Sequence, residues 1–503
     1  MRCISTGFSC SGSKRSDTVV DDLNIGVQGL GAANPTRFIR ITGDNEFNKN
    51  QIGIRLVGGN LHQIKSDNVF NLNPSSFVTN QFFAYNPILG VSNSGSTKIE
   101  VKDNSFDGVN SYSTSDPLKF GFISDNTNSA GFHLSNTFTK LFMGEQMQRD
   151  NTSMQLYCNE HTQFKNAWAA FGKMSNQGRC GAGQGNLTPD DKFNITCAQN
   201  IKLHINSSTE FTYFEKSGYA GNPNPDCVTT STVTIDDNNC NGSEPTGCEF
   251  TPPEITGGNV TSFRTQVDGM DEGFNKDVIV NELLRYYYQH NHTEDAESLL
   301  ADLSGDNYKL DYALLLANSG NYTQADSVID HISSSSDEKS DLQTYISVII
   351  SAKQGNISLD KLPTSLVNSL LSIAENLTLG AYAAQAILMS YYGKEYLIPI
   401  ETSTGVGFRS KTKITAGVNE EGSLTFIPGV VEDQLNVEVH LTNPTENEVL
   451  NIYALDGKKL YSIELKFNNS RIMLRTSDWP SGMFYGVITN GEKVILTNRV
   501  IKK

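Results

Sequence analysis

One phrase recurs through the first half of the chain and narrows the folds open to it. Its copies read DNEF at 44–47, DNVF at 67–70, DNSF at 103–106 and SNTF at 135–138, with CNEHTQF following at 158–164. The recurring asparagines are Asn45, Asn68, Asn104, Asn136 and Asn159, and the intervals Asn45–Asn68 and Asn136–Asn159 are both 23 residues. Short apolar-Gly-apolar-x-apolar phrases, such as IGIRL (52–56) and AGFHL (130–134), lie between them. A period of about 20–25 residues, with one strand group and polar turns per period, points to a stacked solenoid whose coils bury apolar side chains on one another. Asparagine suits the turn because it tolerates left-handed backbone angles, and its amide can bond to the same residue one rung away. The larger intervals fit coils carrying loop insertions. A β-sandwich of many short strands is the alternative, and the regular spacing argues against it.

Over roughly residues 20–215 this pattern resembles the pectate-lyase-like superfamily of right-handed parallel β-helix proteins. The resemblance lies in the pattern and brings no catalytic motif. It sets the expected fold of residues 1–215 as a right-handed parallel β-helix with the five asparagines as a turn ladder. Residues 216–268, which include DDNNCNGSEPTGC and TPPEITGGN, read as a cysteine-containing cap and linker over the last coil. All eight cysteines (Cys3, Cys10, Cys158, Cys180, Cys197, Cys227, Cys240 and Cys248) lie in the first half, an even count that fits an oxidised, exported domain. Pairing is expected among Cys227, Cys240 and Cys248, which flank Gly/Asn/Pro-rich loops, although spacing alone does not give the connectivity.

Residues 269–398 change period. DVIVNELLRYYYQHNHTEDAESLLADL and KLDYALLLANSGNYTQADSVIDHI carry Leu, Ala and Tyr at helical spacing. The dipeptides at 290–291, 320–321 and 355–356 each separate two helical stretches, and Ala296 and Ala325 are equivalent small positions. Helix hairpins at this spacing resemble degenerate tetratricopeptide-type repeats. A Gly/Thr-rich linker, 399–423, follows.

From residue 424 the chain reads as short strands broken by Asn-Pro, Asp-Gly and Asn-Gly turns, a small antiparallel β-sandwich. IPGVVEDQLNV (427–437), NIYALDGKKL (451–460), DWPSGMFYGVI (478–488) and GEKVILTNRVIKK (491–503) occur in that order. Together they resemble the type A C-terminal sorting domain of the Bacteroidota type IX secretion system. Pro428, Asp433, Leu435, Leu455, Gly457, Pro480, Gly482, Tyr485, Gly491 and Lys502 fall at the family's motif positions. IPGV departs from the usual Pro-Asn-Pro-like opening, which touches the first motif only. The resemblance implies a cargo protein carried across the outer membrane, with the type IX translocon as partner. It further implies release or attachment at the cell surface, with lipopolysaccharide, extracellular glycans or proteins as further partners. The stretch MRCISTGFSCSGSKRSDTVV has no apolar core of the kind a signal peptide needs, so the expectation is a chain that lacks its true start.

A net charge of −16, spread along the chain, disfavours nucleic acid and anionic lipid as partners. No apolar run reaches the eighteen or so residues of a membrane-spanning helix. For chemistry, a lyase on such a scaffold needs clustered carboxylates for calcium and a basic residue. The candidates are Asp44, Asp67, Asp103 and Asp125 with Arg55 and Lys102, yet each of these aspartates is read first as a turn residue. DDNNCNG (236–242) resembles a calcium loop but lacks the downstream bidentate Glu, leaving calcium a weak expectation and no other cofactor or metal. HNH (290–292) reads as a solvated helix end, and CGAGQGN (180–186) lacks the strand and helix a nucleotide loop requires. Of the consecutive Tyr286, Tyr287 and Tyr288, core packing accounts for more than glycan binding does. The favoured reading is a non-catalytic adhesion or glycan-binding protein with no catalytic residues. The alternative is a secreted polysaccharide lyase or hydrolase.

Overall fold

The structure is a computed structural model. It describes residues 2–4, 10–11, 19–21, 25–31, 36, 38–73, 87–110, 118–127, 131–179, 187–194, 200–202, 210–214, 233–236, 247–333, 336–394, 396, 398, 400, 422–427, 430–431, 434–441, 448–454, 458–465, 469–480, 482–490 and 493–502. The chain divides into two compact units, Met1–Arg409 and Ser410–Lys503.

Among the described residues, the first unit holds three parallel sheets of eight, six and seven strands. Successive strands pass from sheet to sheet, so strands bond to the one three places along the chain, except the last pair of the first and third sheets, which are two places apart. Ile52–Val57, Gln63–Lys65 and Val69–Asn71 are one such set, and Ile88–Ser94, Glu100–Lys102 and Ser105–Asp107 lie in register on it. Alternate residues point between the sheets, where Ile54, Val91 and Phe122 meet Ile64, Val101 and Leu156 in one core. Down the third sheet the rings of Phe47, Phe70, Phe106, Phe138, His161 and Phe193 stack at separations of 4.7, 4.6, 4.8, 4.9 and 5.3 Å. Each buried phenyl ring contributes about 1.5–3 kcal/mol by leaving water.

Eight α-helices are described: α1 (Val260–Asp268), α2 (Phe274–Gln289), α3 (Thr293–Ala301), α4 (Asp306–Ser319), α5 (Tyr322–Asp330), α6 (Ser336–Gln354), α7 (Thr364–Ile373) and α8 (Leu379–Tyr391). The chain leaves α4 through Gly320, whose φ of 87° favours a residue without a side chain. None of these helices is long and apolar enough to cross a membrane.

The fold differs from the expected one. A right-handed parallel β-helix, then helical hairpin repeats, then an antiparallel β-sandwich described three successive domains. Sheets and helices instead form one unit. The physical reason is that the outer face of the first sheet is apolar too, and helices bury it. Leu30 and Val57 share a core with α4 to α8, and Leu61 shares one with α1 to α4. Ile398 and Ile400 cover Ile52, Leu89, Phe120 and Ile123. The tetratricopeptide-type spacer is therefore not an independent layer.

The cysteine pairing also differs from the expected one. Cys248 pairs with Cys158 at a Cα–Cα distance of 4.8 Å, across 90 residues, and not with Cys227 or Cys240, which lie outside the described residues. The short helical turn Gly247–Glu249 brings Cys248 beside Asp190, next to the strand that follows Cys158 in the stack.

The second unit departs in detail from the expected antiparallel β-sandwich. Gly422–Ile427, Gln434–Leu441 and Asn469–Arg475 make a three-stranded antiparallel sheet. The five-stranded sheet is mixed, because Val430–Val431 runs parallel to Ile501–Lys502. Leu435, Val437 and Phe426 from one sheet share a core with Ile452, Phe484 and Ile488 from the other.

Candidate functional site

The asparagines form a bonded column. Asn45 Nδ2 donates to Asn68 Oδ1 at 2.7 Å, Asn68 to Asn104 at 2.8 Å, Asn104 to Asn136 at 3.0 Å and Asn136 to Asn159 at 3.1 Å. The left-handed backbone falls on the residue before the asparagine: Asp67 (φ 62°), Asp103 (54°), Ser135 (54°) and Cys158 (55°). Sequence reasoning missed the next rung. Asn159 N donates to Asp191 Oδ1 at 2.8 Å, so Asp191 ends the column with an acid where the others carry an amide. Its signal was present as DDKF (190–193), the same phrase with the asparagine replaced.

Beside this rung lies a polar cluster that the sequence pattern did not suggest. Glu145, His133 and His161 are all fully buried, with His133 Nδ1 at 2.5 Å and His161 Nε2 at 3.3 Å from the two carboxylate oxygens. Burial alone would raise the Glu145 carboxyl, but hydrogen bonds from the two imidazoles and their charge outweigh it and hold it below the ordinary range. Asp191 moves the other way: burial, then the negative charge of Glu145, push it well above the usual carboxylate range.

The lyase candidates do not converge on one groove. Asp44 is exposed beside Asn45, and Asp67 and Asp103 are successive turn residues, the latter 3.6 Å from Lys102. Asp125 and Arg55 stand in the first sheet. Asp125 is buried between Arg149 Nη2 at 2.6 Å and the Tyr382 hydroxyl at 2.7 Å, and Arg55 donates to the Tyr396 carbonyl. Both therefore join the sheet to the segments packed on it. Gly95 lies beneath Tyr382, where a Cβ would stand 2.4 Å from the tyrosine. Other buried ions do the same work at the second sheet. Lys98 Nζ meets Asp311 at 2.6 Å, and Arg285 donates to the carbonyls of Leu61 and Lys98, both at 3.1 Å. Tyr287 and Tyr288 are buried in the helical core, and His290 and His292 sit exposed at the helix end. Among the described residues no group of three or more His, Cys, Asp or Glu is placed to hold a metal ion. Most of DDNNCNG and all of CGAGQGN lie outside the described residues.

The outward residues of the third sheet form two registered columns. One is Glu46, Val69, Ser105, Thr137 and Glu160; the other is Asn48, Asn71, Asp107, Thr139 and Thr162. All are half-exposed or exposed.

In the second unit the motif residues separate by strand. Leu435 is buried opposite Leu474, and Pro480 is exposed after Trp479, whose ring packs 5.0 Å from Phe484. Gly482 pairs with Lys502, and Lys502 pairs in turn with Val431, which joins the beginning and end of the unit. Tyr485 lies half-buried between Tyr453 and Arg499 on the neighbouring strands. Pro428, Asp433, Leu455, Gly457 and Gly491 lie outside the described residues. Residues 428–503 match the family model of the secretion system C-terminal sorting domain. The C-terminal unit carries a secretion sorting domain. This domain marks the chain as a protein exported by type IX secretion, with the type IX machinery as its partner and delivery to the cell exterior as its consequence. No curated protein matches the chain.

Proposed function

We propose that the sorting domain delivers the Met1–Arg409 unit to the cell surface, where it acts as a non-catalytic adhesion or glycan-binding module. The observation that supports this reading is the column Asn48, Asn71, Asp107, Thr139 and Thr162. Strand pairing spaces these short hydrogen-bonding side chains about 4.8 Å apart on a flat face. Such a row offers donors and acceptors at fixed intervals to an extended polyhydroxylated chain. The engaged state of Asp125 and Arg55 also favours binding over cleavage, because neither side chain is held for a substrate.

Two experiments test the reading. The purified protein should retain extracellular polysaccharides on a glycan array, and Thr139→Arg with Thr162→Arg should abolish retention without lowering the melting temperature. Retention unchanged by both substitutions would remove the column from the account. For delivery, a chain ending before residue 424 should stay in the periplasm, and the mature surface form should co-purify with lipopolysaccharide. Arrival of the shortened chain at the surface would refute the sorting role.

A further inference from the structure

The family match begins at residue 428, but the folded unit begins earlier. Gly422–Ile427 pairs along its whole length with Gln434–Leu441, from Gly422 opposite Leu441 to Ile427 opposite Asn436. It supplies one edge of the three-stranded sheet, and without it the backbone of Gln434–Leu441 would itself become an open edge. Its alternate residues Leu424 and Phe426 are buried in the core between the two sheets.

Two contacts run from this strand to the strands that carry the last sorting motifs. Phe426 fills the space over Gly486, where an added Cβ would stand 2.3 Å from the ring. Gly486 lies in Gly482–Asn490, the strand of Gly482 and Tyr485. The carbonyl of Leu424 accepts a hydrogen bond of 2.7 Å from Asn498 Nδ2, on the strand that ends with Lys502. A glycine at 486 leaves a notch in the five-stranded sheet, and a phenyl ring from outside the matched segment closes it.

We propose that the sorting signal is the complete two-sheet unit from Gly422 onward, with Leu424 and Phe426 as positioning residues for the strands 482–490 and 493–502. This rests on the export reading. The residues act on recognition through the strands they hold: with the notch over Gly486 empty and Asn498 unbonded, the two motif strands lose the sheet that fixes their spacing.

The test uses the full chain in a bacterium that carries the type IX machinery, with four variants beside the wild type: deletion of 422–427, Phe426→Asp, Phe426→Leu and deletion of 428–503. Surface delivery is read by protease accessibility on intact cells, and the state of the first unit by its limited-proteolysis pattern in lysates. Deletion of 422–427 and Phe426→Asp should reduce delivery to the level of the 428–503 deletion, although the matched segment is intact in one and altered by no residue in the other. Phe426→Leu, which refills the notch with an apolar side chain, should restore delivery. The proteolysis pattern of the first unit should be the same throughout, which locates the loss in sorting. Wild-type delivery of the 422–427 deletion would overturn the proposal and leave the export reading standing. Surface delivery of the 428–503 deletion would overturn the export reading itself, and the proposal with it.

Discussion

Glu145 and His133 meet at 2.5 Å inside the first unit, and neither side chain touches solvent. His161 Nε2 stands 3.3 Å from the other carboxylate oxygen, so the buried carboxylate has an imidazole beside each of its oxygens. His161 does this while occupying a phenylalanine position in the ring stack, between Phe138 and Phe193. One side chain therefore serves both the apolar stack and the polar cluster.

Removing the carboxylate should be costly. Glu145→Ala leaves the buried His133 without its hydrogen-bond partner and His161 without the carboxylate beside it, and should lower stability at pH 7 by about 3–5 kcal/mol. The folded-state value of Glu145 lies below its ordinary one, so its contribution is present above the unfolded value and is lost as pH falls through the folded value. Urea titrations of wild type and variant should accordingly converge toward acid pH. A constant gap would mean that packing, not charge, dominates.

Asp191 predicts the reverse slope. Its folded-state value lies well above the unfolded one, so the stability it contributes in acid is lost as pH rises. Asp191→Asn would complete the amide column and should be more stable than wild type at pH 8, with the advantage shrinking toward pH 4. Melting temperatures across that range check it.

His62 and Asp277 make a second opposed pair. Burial, offset in part by the Gly58 carbonyl, brings His62 down to about 4, and Ile39 N donates to its Nδ1 at 3.0 Å. The unfolded chain then binds the extra proton, so stability falls as pH drops from 6.5 toward 4, and His62→Gln should flatten that limb. Burial raises Asp277 to about 6, while the Tyr308 hydroxyl that donates to it pulls the other way. Stability from this group is lost as pH rises from 3.8 through 6, and Asp277→Asn should remove that loss. Denaturation midpoints at half-unit pH steps separate the two effects.

The disulfide closes a sequence separation of 90 residues. Reducing it, or replacing Cys158 and Cys248 with serine, should cost about 2–5 kcal/mol, mainly through the freedom returned to the unfolded chain. Thermal unfolding with and without reductant measures this, and the serine double variant should show no further response to reductant.

Much of this structure could be read from local pattern. The bonded asparagines Asn45, Asn68, Asn104, Asn136 and Asn159 share one recurring phrase because parallel strands in register repeat their turn chemistry, and the short turns and alternating strands of the C-terminal unit are local in sequence. Asp191 was legible in principle, since DDKF keeps the phrase, but a search for asparagine passes over it. Residue type and spacing thus determined where the turns fall, which residues face inward, and that the C-terminus is a sorting domain. Only the tertiary structure decided which surfaces the helices cover, that Cys248 joins Cys158, that His133 and His161 share Glu145, and that Phe426 lies over Gly486. These depend on groups brought together across tens to hundreds of residues. No periodic pattern records such contacts, because the burial that stabilises them exists only once the layers have closed.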